Sequence, residues 1–128
     1  MFSHIMIGTN DVERAKRFYD AALGALGIRP GHVDDRGRVI YAQGGNRFLL
    51  TKPLNGEPAS HGNGGTIGFA AASPEQADAW HAAGLEAGGA AIEDAPGVRT
   101  SPALGSVYLA YLRDPDGNKL CALHRTPA

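Results

Sequence analysis

The hydrophobic and polar positions fall into two series of the same order, separated by a segment without periodicity. In the first series, residues 2–9 alternate, with isoleucines on one face and His4 and Met6 on the other, which predicts a strand. A helix is expected next, because Asn10 can cap it and Glu13 can complete a capping box. Apolar residues then recur at helical spacing up to Gly27, a typical stop. Three extended segments are predicted after this helix: Ile28–Val33, Arg38–Gln43 and Asn46–Thr51.

The second series repeats this order after Pro53–Gly65, a stretch of glycine, proline and small polar residues that is typical of a linker. A strand is predicted at Thr66–Ala72, followed by a helix with Ser73 as its cap and Gly88 at its end. Three strands are expected after it, with a loop rich in proline and glycine between the first two: near Ala90–Glu93, Val107–Arg113 and Lys119–His124.

This internal repeat predicts an α+β fold made of two β-α-β-β-β modules within a single domain, residues 1–128. The first module covers about residues 1–53, the linker about 54–64, and the second module about 65–126. Each helix can cover only one face of its sheet, so the other face stays free. We therefore expect a half-open barrel with a concave surface.

Composition narrows the range of partners. The net charge of the 128 residues is −1, which gives no general attraction to nucleic acid or to an anionic membrane. No apolar run approaches the roughly 18 residues of a membrane span, and the first residues do not read as a signal peptide. The single cysteine fits a reducing compartment. We expect a cytoplasmic protein whose partner is a small molecule or another copy of itself.

Three segments carry a family resemblance: "HIMIGTNDVERAKRFYDAALGALGI", "GNGGTIGFAA" and "DPDGNKLCALH". Together they resemble the vicinal oxygen chelate superfamily, which comprises glyoxalase I, bleomycin-resistance proteins and extradiol dioxygenases. The resemblance covers nearly the whole chain. It implies the glyoxalase/bleomycin resistance/dihydroxybiphenyl dioxygenase fold, and it implies that a concave face holds the functional site.

In metal-dependent relatives, four strands each supply one ligand to a divalent ion. The resemblance places these positions at His4, Leu49, Thr66 and Cys121, and only His4 keeps the expected residue type. An imidazole with one thiol is a poor ligand set, so we predict that the standard metal site is absent and expect no cofactor. The alternative is a Ni, Zn, Fe or Mn site that includes His4.

Two residues are candidates for catalysis. His4 could act as a general base, a role that histidine side chains fill near neutral pH, or it could only line the pocket. Cys121 could be a nucleophile if nearby positive charge lowered its pKa, or it could be packed as a small hydrophobic residue. Further residues are predicted to line the pocket, where tyrosine and arginine could bind an anionic or aromatic ligand: Met6, Tyr41, Arg47, Leu49, Thr66, Arg99 and Tyr108.

Three functions remain open at this point. The first is a metal-independent enzyme or binding protein for a small molecule, and the second is a metal-dependent lyase or dioxygenase. The third is antibiotic sequestration, which needs an acidic, aromatic-lined groove for a cationic drug. Free strand edges and the family resemblance both favour a homodimer. The sequence leaves open whether the half with His4 and the half with Cys121 meet within one chain or across two.

Overall fold

The computed structural model describes residues 1–103 and 105–126, which form two helices and nine strands. The predicted order of strand, helix and further strands occurs twice. The elements are β1 His4–Gly8, α1 Val12–Gly24, β2 His32–Val33, β3 Val39–Gln43, β4 Asn46–Thr51, β5 Ile67–Ala70, α2 Pro74–Glu86, β6 Ala90–Ala91, β7 Gly97–Ser101, β8 Gly105–Arg113 and β9 Lys119–Arg125.

The start of α1 differs from the prediction by one residue. Asp11 is the N-cap, and its carboxylate accepts a hydrogen bond of 3.0 Å from the Arg14 backbone N–H. The predicted cap, Asn10, uses its amide group elsewhere. Its oxygen accepts from the backbone N–H of Ala59 at 2.7 Å, and its nitrogen donates to the carbonyl of Ala59 at 3.3 Å. Asn10 therefore ties the linker between the modules to the end of β1.

The strands form two mixed sheets, one in each module. The first sheet has the order β1-β4-β3-β2, and β1 runs parallel to β4. In the second sheet, β5 pairs with β9, and β9 pairs with β8. Both β6 and β7 pair with β8, and because β9 occupies one edge of β8 they must share the other.

The strand β7 lies in the segment that the sequence predicts to be a loop. Since β6 and β7 share one edge of β8, they are two pieces of one strand interrupted between Ala91 and Gly97. Glu93 lies in this interruption with a φ of 58°, a backbone conformation that non-glycine residues rarely adopt. The second module thus keeps the order β-α-β-β-β, with the first strand after its helix broken in two.

Helix α1 lies between the two sheets. On one side, the ring of Tyr19 is 5.0 Å from that of Phe48 in β4. On the other side, Phe18 reaches α2 and β8, where a Cβ added to Gly84 would lie 2.3 Å from Leu112 and 3.3 Å from Phe18. A side chain at position 84 would therefore meet Leu112 and Phe18. The two helices pack against each other, with α1 beside β4 and α2 beside β8 and β9.

One core cluster joins the helix-facing sides of both sheets. It includes the fully buried Trp80 of α2 together with Leu50 of the first sheet and Leu120 of the second. The two sheets also touch directly at one end, where Phe48 and Phe69 pack edge to face with centroids 5.4 Å apart. Because each sheet turns its helix-facing side inward, the opposite sides face out of the molecule.

The turn "DPDG" between β8 and β9 fastens the second module to the first. The carboxylate of Asp116 accepts hydrogen bonds from the Thr9 hydroxyl at 2.5 Å and from the Arg14 guanidinium at 3.0 Å. The buried carboxylate of Asp114 accepts from the Tyr19 hydroxyl at 2.5 Å. The segment with the strongest family resemblance is therefore a structural clamp on α1.

The predicted α+β fold of two modules is confirmed, and neither sheet closes into a barrel within residues 1–103 and 105–126. In the same part of the chain, no helix has the length and apolar character needed to cross a membrane.

Candidate functional site

The outward side of the first sheet, which we call the first open face, is exposed. Strand pairing sets His4 beside Arg47 and Met6 beside Leu49. Met6 is 44% exposed on this face. The residues of this face are His4, Met6, Gly8, His32, Ile40, Ala42, Arg47, Leu49 and Thr51.

The polar groups of the first open face are basic. The His4 imidazole shares a hydrogen bond of 2.8 Å with the hydroxyl of Ser3. The Arg47 guanidinium donates only to backbone carbonyls, those of Asn46 at 3.0 Å and Gly44 at 3.4 Å. No carboxylate among the described residues pairs with Arg47, so its charge is available to a ligand.

The outward side of the second sheet, the second open face, is filled by its own side chains. Val107, Leu109 and Cys121 are only 1%, 7% and 7% exposed, and they form a separate apolar cluster with Tyr111 and Leu123. Neither the cluster nor the residues packed against it come from the first sheet. This face thus has its own small core.

The thiol of Cys121 is set up to stay protonated. Burial raises its pKa, and the carboxylate of Glu93 adds to this, whereas the ammonium of Lys119 acts in the opposite direction. Lys119 is itself paired with Glu93 and lies 5.0 Å from the ring centroid of Tyr111. A neutral, packed thiol is a weak nucleophile, so this geometry favours the packing interpretation of Cys121.

Two tyrosines predicted for the pocket lie on the helix-facing sides of their sheets. Tyr41 is 2% exposed and donates a 2.8 Å hydrogen bond to Asp20 of α1. Tyr108 donates a 2.6 Å hydrogen bond to Asp78 of α2. Alternation along a strand reverses with a one-residue shift, and this shift misplaced both residues. The tyrosine that lies on an open face is Tyr111, which the sequence analysis missed.

The remaining predicted residues divide between the two sheets. Met6, Arg47 and Leu49 lie on the first open face with His4. Arg99 lies on the second, where its guanidinium donates to the carbonyls of Asp94 and Ala95 at 3.3 and 3.1 Å. Thr66 is exposed and precedes β5 by one residue.

His4 and Cys121 therefore lie on different open faces of one chain. Cys121 packs in a cluster of second-sheet residues, whereas His4 pairs with Arg47 in the first sheet. The two candidate catalytic residues therefore have separate surroundings within one chain.

The four positions at which the family holds a divalent ion do not fit one here. They carry an exposed imidazole at His4, a leucine at position 49, an exposed hydroxyl at Thr66 and a buried thiol of raised pKa at Cys121. Elsewhere in the described part of the chain, no three histidine, cysteine, aspartate or glutamate side chains are grouped so that they could hold a metal. We therefore derive no chemical step through a metal.

The fold and its two open faces define a protein built from paired β-α-β-β-β modules. Residues 1–122 match the family model of the Glyoxalase/Bleomycin resistance protein/Dioxygenase superfamily. The chain belongs to this superfamily, as the resemblance in the sequence predicted.

Solved structures agree with this assignment. The chain is 59% identical to a glyoxalase/bleomycin resistance protein from Albidiferax ferrireducens T118, with a TM-score of 0.93 and coverage of 98% of this chain and 99% of that one. A glyoxalase/bleomycin resistance protein/dioxygenase family enzyme from Burkholderia phytofirmans PsJN gives a TM-score of 0.72 at 16% identity, covering 97% and 98% of the two chains. Lactoylglutathione lyase from Agrobacterium tumefaciens gives 0.66 at 21% identity, covering 97% and 92%. The last two show a shared fold alone, and no curated protein matches the chain.

Proposed function

We propose that this protein binds a small molecule with an acidic group on the first open face, without the divalent metal that is standard in the superfamily. The observation that carries the proposal is that exposed Met6 and half-buried Leu49 lie on the same face as the guanidinium of Arg47. A guanidinium without a carboxylate partner binds carboxylates well, and apolar surface beside it can hold the rest of the ligand.

We also propose that the binding site is completed by a homodimer. The first open face is shallow and exposed, whereas pockets that bind small molecules bury most of the ligand's surface. The second open face of another copy offers a curved apolar surface with Tyr111 and Arg99 on it. A contact between the first open face of one copy and the second of another would enclose the ligand and bury Met6.

His4 is the candidate for proton transfer in this site. It lies beside Arg47 on the first open face and is exposed to solvent. An imidazole next to the acidic group of a ligand could take or give a proton near neutral pH. This gives the protein a possible route to catalysis without a metal, and it leaves binding alone as the simpler function.

Sequestration of a cationic antibiotic has less support. It would require carboxylates on the binding surface, and the described residues of the first open face carry none. A metal-dependent lyase or dioxygenase would require ligands that the four family positions lack.

Titration calorimetry with benzoate tests the proposal, with benzyl alcohol as the uncharged analogue. We expect benzoate to bind, and we expect Arg47→Gln to weaken it by at least about tenfold because the paired charge is lost. The matched control is Arg36→Gln, since Arg36 is exposed in the turn before β3. Equal binding of benzoate and benzyl alcohol, or equal losses in both variants, would contradict the proposal.

Metal analysis tests the second part of the proposal, that the protein functions without a divalent metal. Protein purified without added metal should contain no stoichiometric Ni, Zn, Fe or Mn. A stoichiometric ion that disappears in His4→Ala would refute the metal-free assignment.

A further inference from the structure

A cavity of about 300 Å³ lies between the two sheets. It adjoins both open faces, because its lining also includes His4, Ala42 and Arg47 of the first and Gly68 and Ala70 of the second. The two sheets converge beside it through the contact of Phe48 with Phe69. Most of its walls are aliphatic and aromatic side chains. They come from the helix-facing sides of the two sheets, from the last turn of α1 and from the segment that follows α1: Ile5, Leu23, Ile28, Tyr41, Phe48, Ile67 and Phe69. Its volume is within the range of small-molecule sites in proteins.

The mouth of this cavity is polar, and the only charged side chain near it is that of Arg47, which donates to the carbonyls of Gly44 and Asn46 on the outward side of the described β3–β4 turn. Ser3, Gln43 and Asn46 line the mouth and are exposed, so the opening lies at the start of β1 and at the β3–β4 turn. The strands β1 and β5 also line it, and each has a sheet partner on one side only in the described part of the chain. The backbone N–H and C=O groups on their free edges can therefore form hydrogen bonds with a ligand.

The interior offers no partner for a charge. The two charged or basic residues in the lining are His4 and Arg47, and strand alternation turns both side chains to the first open face. The hydroxyl of Tyr41 is occupied by the carboxylate of Asp20 at 2.8 Å. An ionised group placed among these walls would lose its hydration without compensation.

We propose that this cavity binds a small, uncharged aromatic molecule that carries a single hydrogen-bonding group, in the class of indoles and phenols. The ring packs between Phe48 and Phe69 with the aliphatic side chains around it, and the polar group bonds at the mouth. This site shares His4 and Arg47 in its lining with the site of the proposed function. The two proposals remain distinguishable, because the walls that hold the ring here lie on the helix-facing side of the first sheet, whereas the proposed carboxylate site lies on the outward side.

Indole is the probe for this proposal, and indole-3-carboxylate is its charged analogue. We expect calorimetry and ligand-observed NMR to detect indole binding that is at least about tenfold tighter than binding of the carboxylate. Tighter binding of the carboxylate would overturn the proposal, since it would place the ligand on a basic surface.

Cavity-filling variants locate the site. Ile67→Trp should weaken indole binding by at least about tenfold, and Ile28→Phe is a smaller second variant if the first does not fold. Val98→Trp is the matched control, because Val98 is 60% exposed in β7 and does not line the cavity. Equal losses in the control and in the cavity variants would refute the location.

The exposed Phe2 at the rim supplies a further test. Indole should bind with similar affinity to the unchanged protein and to Phe2→Ala. Binding that appears only in Phe2→Ala would show that the chain's own phenylalanine, from the same copy or a second one, is the occupant, and this would overturn the proposal.

Discussion

Each of the two open faces belongs to a β-α-β-β-β module, but the two faces differ in how far their apolar residues are buried. On the second, Val107, Leu109 and Cys121 are buried by their neighbours on the same sheet. On the first, Met6 is 44% exposed. The apolar side chains at the centre of the second open face are therefore buried, whereas Met6 on the first is partly exposed to solvent.

This difference separates structural from functional residues. Cys121 occupies the position of a metal ligand in the family, yet it behaves as part of a small core. His4 and Arg47 are exposed on the face whose packing is incomplete, and exposed apolar surface beside polar groups is typical of a binding site. The candidate functional site is therefore the first open face and not the surroundings of Cys121.

The largest contrast is expected in stability. Leu109→Ala should lower the free energy of unfolding by about 2–4 kcal/mol, because it leaves a cavity in the second open face. Leu49→Ala, the same change at a half-buried position of the first open face, should cost less than about 1.5 kcal/mol. Urea denaturation measures both. Similar losses would show that the two faces are packed alike and would contradict the difference in packing between them.

The second contrast concerns assembly. If the first open face contacts a second copy, Met6→Glu should weaken the dimer at least about a hundredfold, because a charged side chain would replace an apolar one inside the contact. Val98→Glu is the control, since Val98 is 60% exposed and lies on the helix-facing side of β7. Sedimentation velocity over a concentration series gives the dissociation constants. A dimer that survives Met6→Glu would place the interface elsewhere.

The third contrast concerns thiol reactivity. Cys121 should react with iodoacetamide at least about tenfold more slowly at pH 7.5 than a cysteine introduced by Met6→Cys in a Cys121→Ser background. The reason is that Cys121 is buried and its pKa is raised, whereas position 6 is exposed. Mass spectrometry follows the labelling. Fast labelling of Cys121 would restore it as a candidate nucleophile.

The smallest effect is a pH dependence. The pKa of the Cys121 thiol is raised above its ordinary value of 9.0, chiefly by burial. As the pH rises past this value, the unfolded chain loses the proton before the native protein does, so the free energy of unfolding falls. Between about pH 8 and pH 10 the protein should therefore lose more stability than Cys121→Ala, by a few tenths of a kcal/mol or more. Parallel pH profiles for the two proteins would mean that the thiol ionises equally in both states.

Much of the fold can be predicted from the sequence because helix caps, turns and periodic spacing depend on residues that are close together in the chain. The helix of the second module begins at its predicted cap, Ser73, whose hydroxyl accepts from the Gln76 N–H at 3.1 Å. The strand β7 was missed because its proline- and glycine-rich surroundings read as a loop, whereas its pairing with β8 uses backbone groups that any residue has. It is harder still to predict on which side of the sheet a strand residue lies, because a shift of one residue reverses the side, as Tyr41 and Tyr108 show.

The arrangement of the two modules could not be predicted from periodicity. The helical spacing of Phe18 and Tyr19 identifies both as core residues, but it does not say that they face different sheets. Phe18 approaches the second module closely, since a Cβ added to Gly84 or Gly89 would lie 3.3 or 2.6 Å from its ring.

A crystal structure of the protein grown with benzoate tests the central claim most directly. The account predicts a dimer in which the carboxylate contacts Arg47 on the first open face of one copy, with the Tyr111 and Cys121 cluster of the other copy closing over the ring. The claim would be contradicted by a first open face that remains in solvent, or by benzoate bound away from Arg47.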